Sequence, residues 1–155
     1  MHKLCDHKAA AMLVRKNNAI LLIERKKGVL GFAPPAGHVD QDPDFETTAR
    51  RELEEETSLQ ATSLKLIHEG RRDNRCSRED GSWHYWKIYE VEAKGTPRPD
   101  KEETQSAGWF TKENLLELAR KTEAYQRGEI SEEAWKESPG LEPVWYDWFK
   151  ELKIL

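Results

Sequence analysis

The sequence predicts a single α/β domain, and three observations predict it. Two apolar runs, Ala9–Val14 and Ala19–Glu24, flank an Asn17-Asn18 pair and read as a β-hairpin. A charged helical segment follows, capped at Asp42 and carrying Glu52, Glu55 and Glu56, and an aromatic, β-branched run at Trp83–Ala93 gives a further strand. The positions Leu141, Val144, Trp145, Trp148, Phe149 and Leu152 then repeat with helical spacing at the C-terminal end. Strands and helices thus interleave along 155 residues, enough to bury one core.

The elements follow in order. Gly28–Pro35 is a Gly/Pro-rich loop. Asp42 reads as a helix N-cap with Pro43 at the first helical position. Phe45, Ala49 and Leu53 recur every fourth residue, so they face the core and leave Glu52, Glu55 and Glu56 on an adjoining edge. Leu64–Glu69 is a short strand. Gly70–Gly81 is a polar loop carrying Arg71, Arg72, Arg75 and Arg78. After the Trp83–Ala93 strand, Gly95-Thr96-Pro97-Arg98-Pro99 breaks the chain, Glu102–Gly108 is a loop, and Trp109-Phe110 a brief strand. Thr111 caps a helix reaching about Tyr125, with Leu115, Leu116, Leu118 and Ala119 as its apolar side. Gln126–Gly140 is polar and helical or looped. Pro143 then opens a terminal amphipathic helix.

Composition narrows the function. A net charge of −4 argues against general nucleic-acid binding, which calls for a basic stripe. No apolar run approaches membrane-spanning length, and no signal-peptide core is expected at the amino terminus. Two cysteines, Cys5 and Cys76, give no disulfide framework and fit a cytoplasmic location. Cys5, His7, Cys76 and His84 have ligand chemistry but lack paired CxxC or HxxxH spacing, so they read as ordinary side chains and not as a zinc site.

The richest segment is GHVDQDPDFETTARRELEEETSL, Gly37 to Leu59. On a helix Glu52, Glu55 and Glu56 share one patch, and like charges at this spacing repel. Oxygen-only donors gathered in this way suit a hard divalent cation, Mg²⁺ or Mn²⁺. With Gly37 ahead of the helix, the segment resembles the box of the Nudix hydrolase family. That box reads Gly, five residues, Glu, seven residues, Arg-Glu, an aliphatic, any residue, Glu-Glu, any residue, Gly, an aliphatic. Gly37, Arg51, Glu52, Leu53, Glu55, Glu56 and Leu59 fall in register. Pro43 stands at the first Glu and Ser58 at the last Gly. Asp42 and Asp44 flank Pro43 as substitute carboxylates, and Ser58 predicts a less tightly capped helix exit.

The resemblance implies an α/β/α sandwich around a mixed sheet, with a core over about 8–138 and a C-terminal helical extension over about 139–155. It implies a hydrolase that cleaves the pyrophosphate bond of a nucleoside diphosphate linked to another moiety, using a divalent ion and an activated water. Glu55 and Glu56 become metal ligands, Glu52 a ligand or general base, the Gly37 carbonyl a further ligand, and Arg51 the residue that orients the carboxylates. An additional Glu comes from the loop before the last strand, where Glu103 ranks ahead of Glu102. Arg71 and Arg72 are candidates for a phosphate clamp, and Trp83 and Tyr85 for an aromatic wall against a nucleobase. The implied partner is a small nucleotide-like diphosphate, and a homodimer is compatible with it. The departures at Pro43 and Ser58 favour a second reading, a catalytically inactive Nudix-like nucleotide-binding or regulatory module.

Overall fold

The computed structural model describes residues 3–102 and 104–155. Strand β1 (Lys8–Lys16) and strand β2 (Ala19–Arg25) form the expected hairpin. Asn17 and Asn18 both take positive φ, 50° and 66°, which suits a two-residue turn between twisted strands. Next come β3 (Phe32–Ala33), β4 (Ala36–His38) and helix α1 (Phe45–Thr57). The chain continues through β5 (Gln60–Arg72), β6 (His84–Lys94) and β7 (Thr104–Thr111). Helices α2 (Lys112–Gln126), α3 (Glu132–Glu137) and α4 (Pro143–Glu151) complete it.

The seven strands form one mixed sheet in the order β3-β2-β1-β6-β5, with β4 paired to β1 and β7 to β2. Among the strand pairings of the described residues, only β1–β6 is parallel. Strand β1 is buried on both faces, and its alternate side chains serve two cores. Ala9, Ala11 and Leu13 point to a core shared with Leu115 and Leu118 of α2 and Trp145, Trp148 and Phe149 of α4. Ala10, Met12 and Val14 point to the other, shared with Ala49 and Leu53 of α1. Helices therefore cover both faces, and the fold is the α/β/α sandwich expected. The terminal helix has the predicted apolar stripe, with Trp145 and Trp148 fully buried.

Several boundaries move. The N-cap of α1 is Asp44 and not Asp42, because the Asp44 carboxylate accepts from the Thr47 N–H at 2.7 Å, and Pro43 lies ahead of the cap. Strand β5 is far longer than Leu64–Glu69 and takes in Arg71 and Arg72, which therefore sit on a strand instead of a loop. Strand β7 likewise absorbs most of the expected Glu102–Gly108 loop, since Ser106, Ala107 and Gly108 pair with β2. A short helix, α3, occupies the polar stretch before α4.

The exit of α1 also differs from expectation. Ser58 adopts the left-handed conformation (φ 66°) and its N–H bonds to the Glu54 carbonyl at 2.8 Å, so the turn is made without glycine. An L-residue in this region costs roughly 1–2 kcal/mol. Ser58→Gly should accordingly stabilise the protein by about 1 kcal/mol, offset in part by the entropy of the unfolded chain. Urea denaturation reads this directly, and an unchanged or lower midpoint would refute the strained-cap assignment.

Candidate active site

Helix α1 and strand β4 build the site together. The Ala36 N–H donates to Glu56 Oε1 at 3.3 Å, which ties the end of the helix to the start of the strand. Glu56 is buried, and its second oxygen, Oε2, has no hydrogen-bond partner among the described residues. Glu56 thus lies on the buried side of α1 with Ala49 and Leu53, not on the outer edge with Glu55, because the helix docks against β4 along that line. Gly37 leaves the room that Glu52 fills: a Cβ at Gly37 would collide with the Glu52 carboxyl group. This close approach is a reason for glycine at that position.

Arg51 organises the outer part. Its Nη1 donates to Glu52 Oε1 and to Glu55 Oε2, each at 3.0 Å. Its Nε and Nη2 both donate to Asp42 Oδ2, at 3.1 and 2.8 Å, and Thr48 adds a third hydrogen bond to that oxygen at 2.8 Å. Of the two carboxylates flanking Pro43, Asp42 therefore joins the site by holding Arg51, while Asp44 is used up as the helix cap. Glu55 lies at the solvent edge, its side chain 57% exposed, whereas Glu52 is 18% exposed.

Sequence reasoning missed Arg25 and Glu142. Arg25, at the end of β2, lies 3.4 Å from Glu142, the residue before α4. Burial pushes the Glu56 carboxyl up to about 8; the Arg25 charge opposes that and the neighbouring Glu52 adds to it. Burial also raises Glu52, against the pull of Arg51. Arg25 interacts with Glu56, Glu142 and Glu52 at once. The only early signal was a charge ending a buried strand, and an edge-of-core arginine has no spacing rule to mark it.

A cleft of about 660 Å³ adjoins Glu142 and is lined also by Arg72, Asn74, Arg75 and Tyr125. Arg72 is held by an ion pair to Glu151 and lies 3.8 Å over the Trp148 ring. Arg71, Trp83 and Tyr85 are not among the lining residues. Arg71 stacks 4.3 Å over Trp83, which stacks in turn on His7 at 4.0 Å, and the Tyr85 hydroxyl donates to Glu69. Glu103 lies outside the described residues. Cys5, Cys76 and His84 come together with His38, while His7 turns its Nδ1 to the Trp83 carbonyl.

A family model for the NUDIX domain matches residues 6–133. The chain belongs to the Nudix family. Asymmetrical bis(5'-nucleosyl)-tetraphosphatase from Mus musculus is 31% identical over 101 residues, covering 64% of this chain and 69% of the relative. Its counterpart from Rattus norvegicus is 31% identical over 106 residues with the same shares. The fold is similar to that of a NUDIX hydrolase from Nitrosomonas europaea, with a TM-score of 0.60 and 17% identity over 79% of this chain and 90% of that one. It is also similar to a MutT NUDIX hydrolase from Burkholderia pseudomallei, with a TM-score of 0.57 and 22% identity over 70% and 84% of the two chains.

Nudix hydrolases act on small nucleotide-like substrates and generally use divalent metal ions. The residues at this site fit such an ion. The donors are all oxygen, two buried carboxylate oxygens, Glu56 Oε2 and Glu142 Oε2, have no hydrogen-bond partner among the described residues, and Glu52, Glu56 and Glu142 share the one guanidinium of Arg25.

The raised Glu56 carboxyl gives a pH prediction for protein held free of Mg²⁺ and Mn²⁺. Folded Glu56 keeps its proton up to about 8, while the unfolded group releases it near 4.5. Its contribution is fully present below the lower value and is lost as pH rises through the upper one. Melting temperature should therefore fall from about pH 5 to about pH 8, less steeply in Glu56→Gln. Equal slopes for the two proteins would remove Glu56 as the cause.

Proposed function

We propose that this protein is a metal-dependent pyrophosphohydrolase that cleaves a nucleoside diphosphate linked to a second group. Mg²⁺ or Mn²⁺ would be held by Glu52, Glu55, Glu56 and the Gly37 carbonyl. The observation that carries this reading is the convergence of Glu52 and Glu56 on β4, Glu52 at Gly37 and Glu56 at the Ala36 N–H, with Arg51 holding Glu52 and Glu55 from outside. The likeness to the mouse and rat tetraphosphatases supports dinucleoside polyphosphates as the first substrate class to test.

When bound, the ion supplies charge neutralisation, Lewis-acid activation of phosphorus and a water of lowered pKa. The protein's share is positional. Asp42 holds Arg51, and Arg51 fixes the Glu52 and Glu55 carboxylates in one orientation, so little reorganisation is left for the reacting state. Glu52 is the better-placed proton acceptor for the attacking water, being largely shielded from solvent yet hydrogen-bonded to a guanidinium that favours its anionic form. Glu103 is a further candidate for that role. Arg72 and Arg75 give the neighbouring cleft positive charge suited to phosphate oxygens. The stack of Arg71 on Trp83 offers a planar surface for a base outside the cleft.

Glu52→Gln and Glu56→Gln should each lower kcat by about 10²–10⁴-fold, the range for loss of a positioned proton acceptor or an equivalent contact. Product chromatography over dinucleoside polyphosphates, nucleotide sugars, coenzyme pyrophosphates and nucleoside triphosphates, with Mg²⁺ or Mn²⁺ present, measures this. Wild-type rates in both variants would defeat the carboxylate assignment. Binding without cleavage across the whole panel by the natural protein would make it a binding module instead.

Gly37→Ala should act through Glu52. The added methyl displaces the Glu52 carboxyl, so kcat should fall about as far as in Glu52→Gln, with the fold retained by circular dichroism. Full activity in a folded Gly37→Ala protein would show that the close approach is not needed.

A further inference from the structure

On the far side of β4 from the carboxylates, four side chains from separate parts of the chain bring their donor atoms together. They are Cys5, His38, Cys76 and His84, and all four donor atoms lie within 4.8 Å of one another. Cys5 Sγ is 3.3 Å from His84 Nε2 and 3.6 Å from His38 Nε2, and the two Nε2 atoms are 3.3 Å apart. A tetrahedral zinc ion, with Zn–N of about 2.0–2.1 Å and Zn–S of about 2.3 Å, requires donor separations of about 3.3–3.8 Å. These three separations fall within or close to that range. We propose that Cys5, His38, Cys76 and His84 form a structural Zn²⁺ site of the Cys2His2 type, independent of the carboxylate site.

The surroundings are those of a ligand set and not of a chance contact. His84 Nδ1 faces the Asn74 carbonyl at 3.1 Å. A carbonyl only accepts, so the ring proton sits on Nδ1 and the Nε2 lone pair is left for the cluster. Each sulfur receives a backbone N–H from two residues further on, His7 to Cys5 at 3.3 Å and Arg78 to Cys76 at 3.4 Å. Such donors stabilise thiolates, the form that binds metal. Both cysteine turns are locked. Cys76 N–H bonds the Gly81 carbonyl at 2.8 Å, and a Cβ at Gly81 would collide with Cys76 Sγ. Cys5 N–H bonds the Glu79 carbonyl at 2.9 Å, and Glu79 N–H bonds the Lys3 carbonyl at 3.1 Å, which lays the two cysteine segments side by side.

The donor chemistry selects the ion. Two sulfurs and two imidazoles favour zinc over Mg²⁺ or Mn²⁺, and four protein ligands close the coordination sphere, leaving no position for substrate or water. The role is therefore mechanical. The ion would join the N-terminal segment, β4, the loop over 73–83 and β6, and His38 directly follows Gly37. Zinc at this point would brace the strand against which Glu52 and Glu56 pack.

The test is metal analysis of the full chain, purified reduced and without chelator. Elemental analysis should find about one zinc ion per chain, retained in Glu56→Gln and reduced about tenfold or more in Cys76→Ser and His84→Asn. Two measurements on the natural sequence cover variants that fail to fold. Thiol titration with a mercurial should release the zinc in step with modification of Cys5 and Cys76. Cobalt-loaded protein should show the visible bands of tetrahedral Co²⁺ with thiolate charge transfer. The proposal is overturned if reduced natural protein carries no zinc and gives no tetrahedral cobalt spectrum. It is equally overturned if zinc persists in both folded variants, or if peptide mapping of the fresh protein finds Cys5 and Cys76 joined as a disulfide.

Discussion

The structure depends on one strand having no exposed face. Residues Ala9 to Val14 of β1 are all buried, so the chain must supply a helix layer above and another below, and a pairing partner on each side. Small side chains on one half of the strand, Ala9, Ala10 and Ala11, let β4 and the flanking helices come close. Strand β4 pairs there, at Ala36 to Ala11 and His38 to Ala9. The position of Gly37, and with it the room for the Glu52 carboxyl group, follows from that pairing. The catalytic candidates are thus set by an apolar constraint several residues away from any charge.

Placing carboxylates against such a core has a cost. Glu56 and Glu142 are both buried, and Arg25 is shared between them. Ionised groups removed from water are tolerated when paired, and here the pairing is incomplete. The deficit of positive charge is local and lies where a cation is wanted. A site of this kind gains affinity for its ion partly from the discomfort of the protein without it, which links metal binding to stability.

How much of this was legible in the sequence depended on whether neighbours in space were neighbours in the chain. Helix α1, the Asn17-Asn18 turn, the Thr111 cap and the stripe of α4 are local patterns, and each was readable. The carboxylate patch was readable as well, by helical spacing. The burial of Glu56 was not, because it is decided by the docking of β4. Strand β5 was underestimated for another reason. It pairs on one side only, is mostly exposed, and changes register near Thr62 and Ile67, so its alternation is broken. The Cys/His group reads as ordinary side chains in the sequence because its members are scattered without paired spacing, and His7 stands there in the place that His38 takes in the structure. Arg25 and Glu142 meet only once α4 has closed on the sheet.

That closure has a consequence for the order of events in folding. Phe32 N–H bonds the Gly140 carbonyl and Glu142 N–H bonds the Phe32 carbonyl, so β3 is clasped by the segment that leads into α4. The clasp joins parts of the chain made early and late in synthesis. Until α4 has left the ribosome, Trp86, Leu115 and Ile88 lack the aromatic layer of Trp145, Trp148 and Phe149 that covers them, and apolar surface stays open to solvent. A contact of such long sequence separation also closes a large loop, which slows the search for the native state. The nascent chain is therefore expected to complete its core late, and to be most in need of chaperones just before its final helix appears.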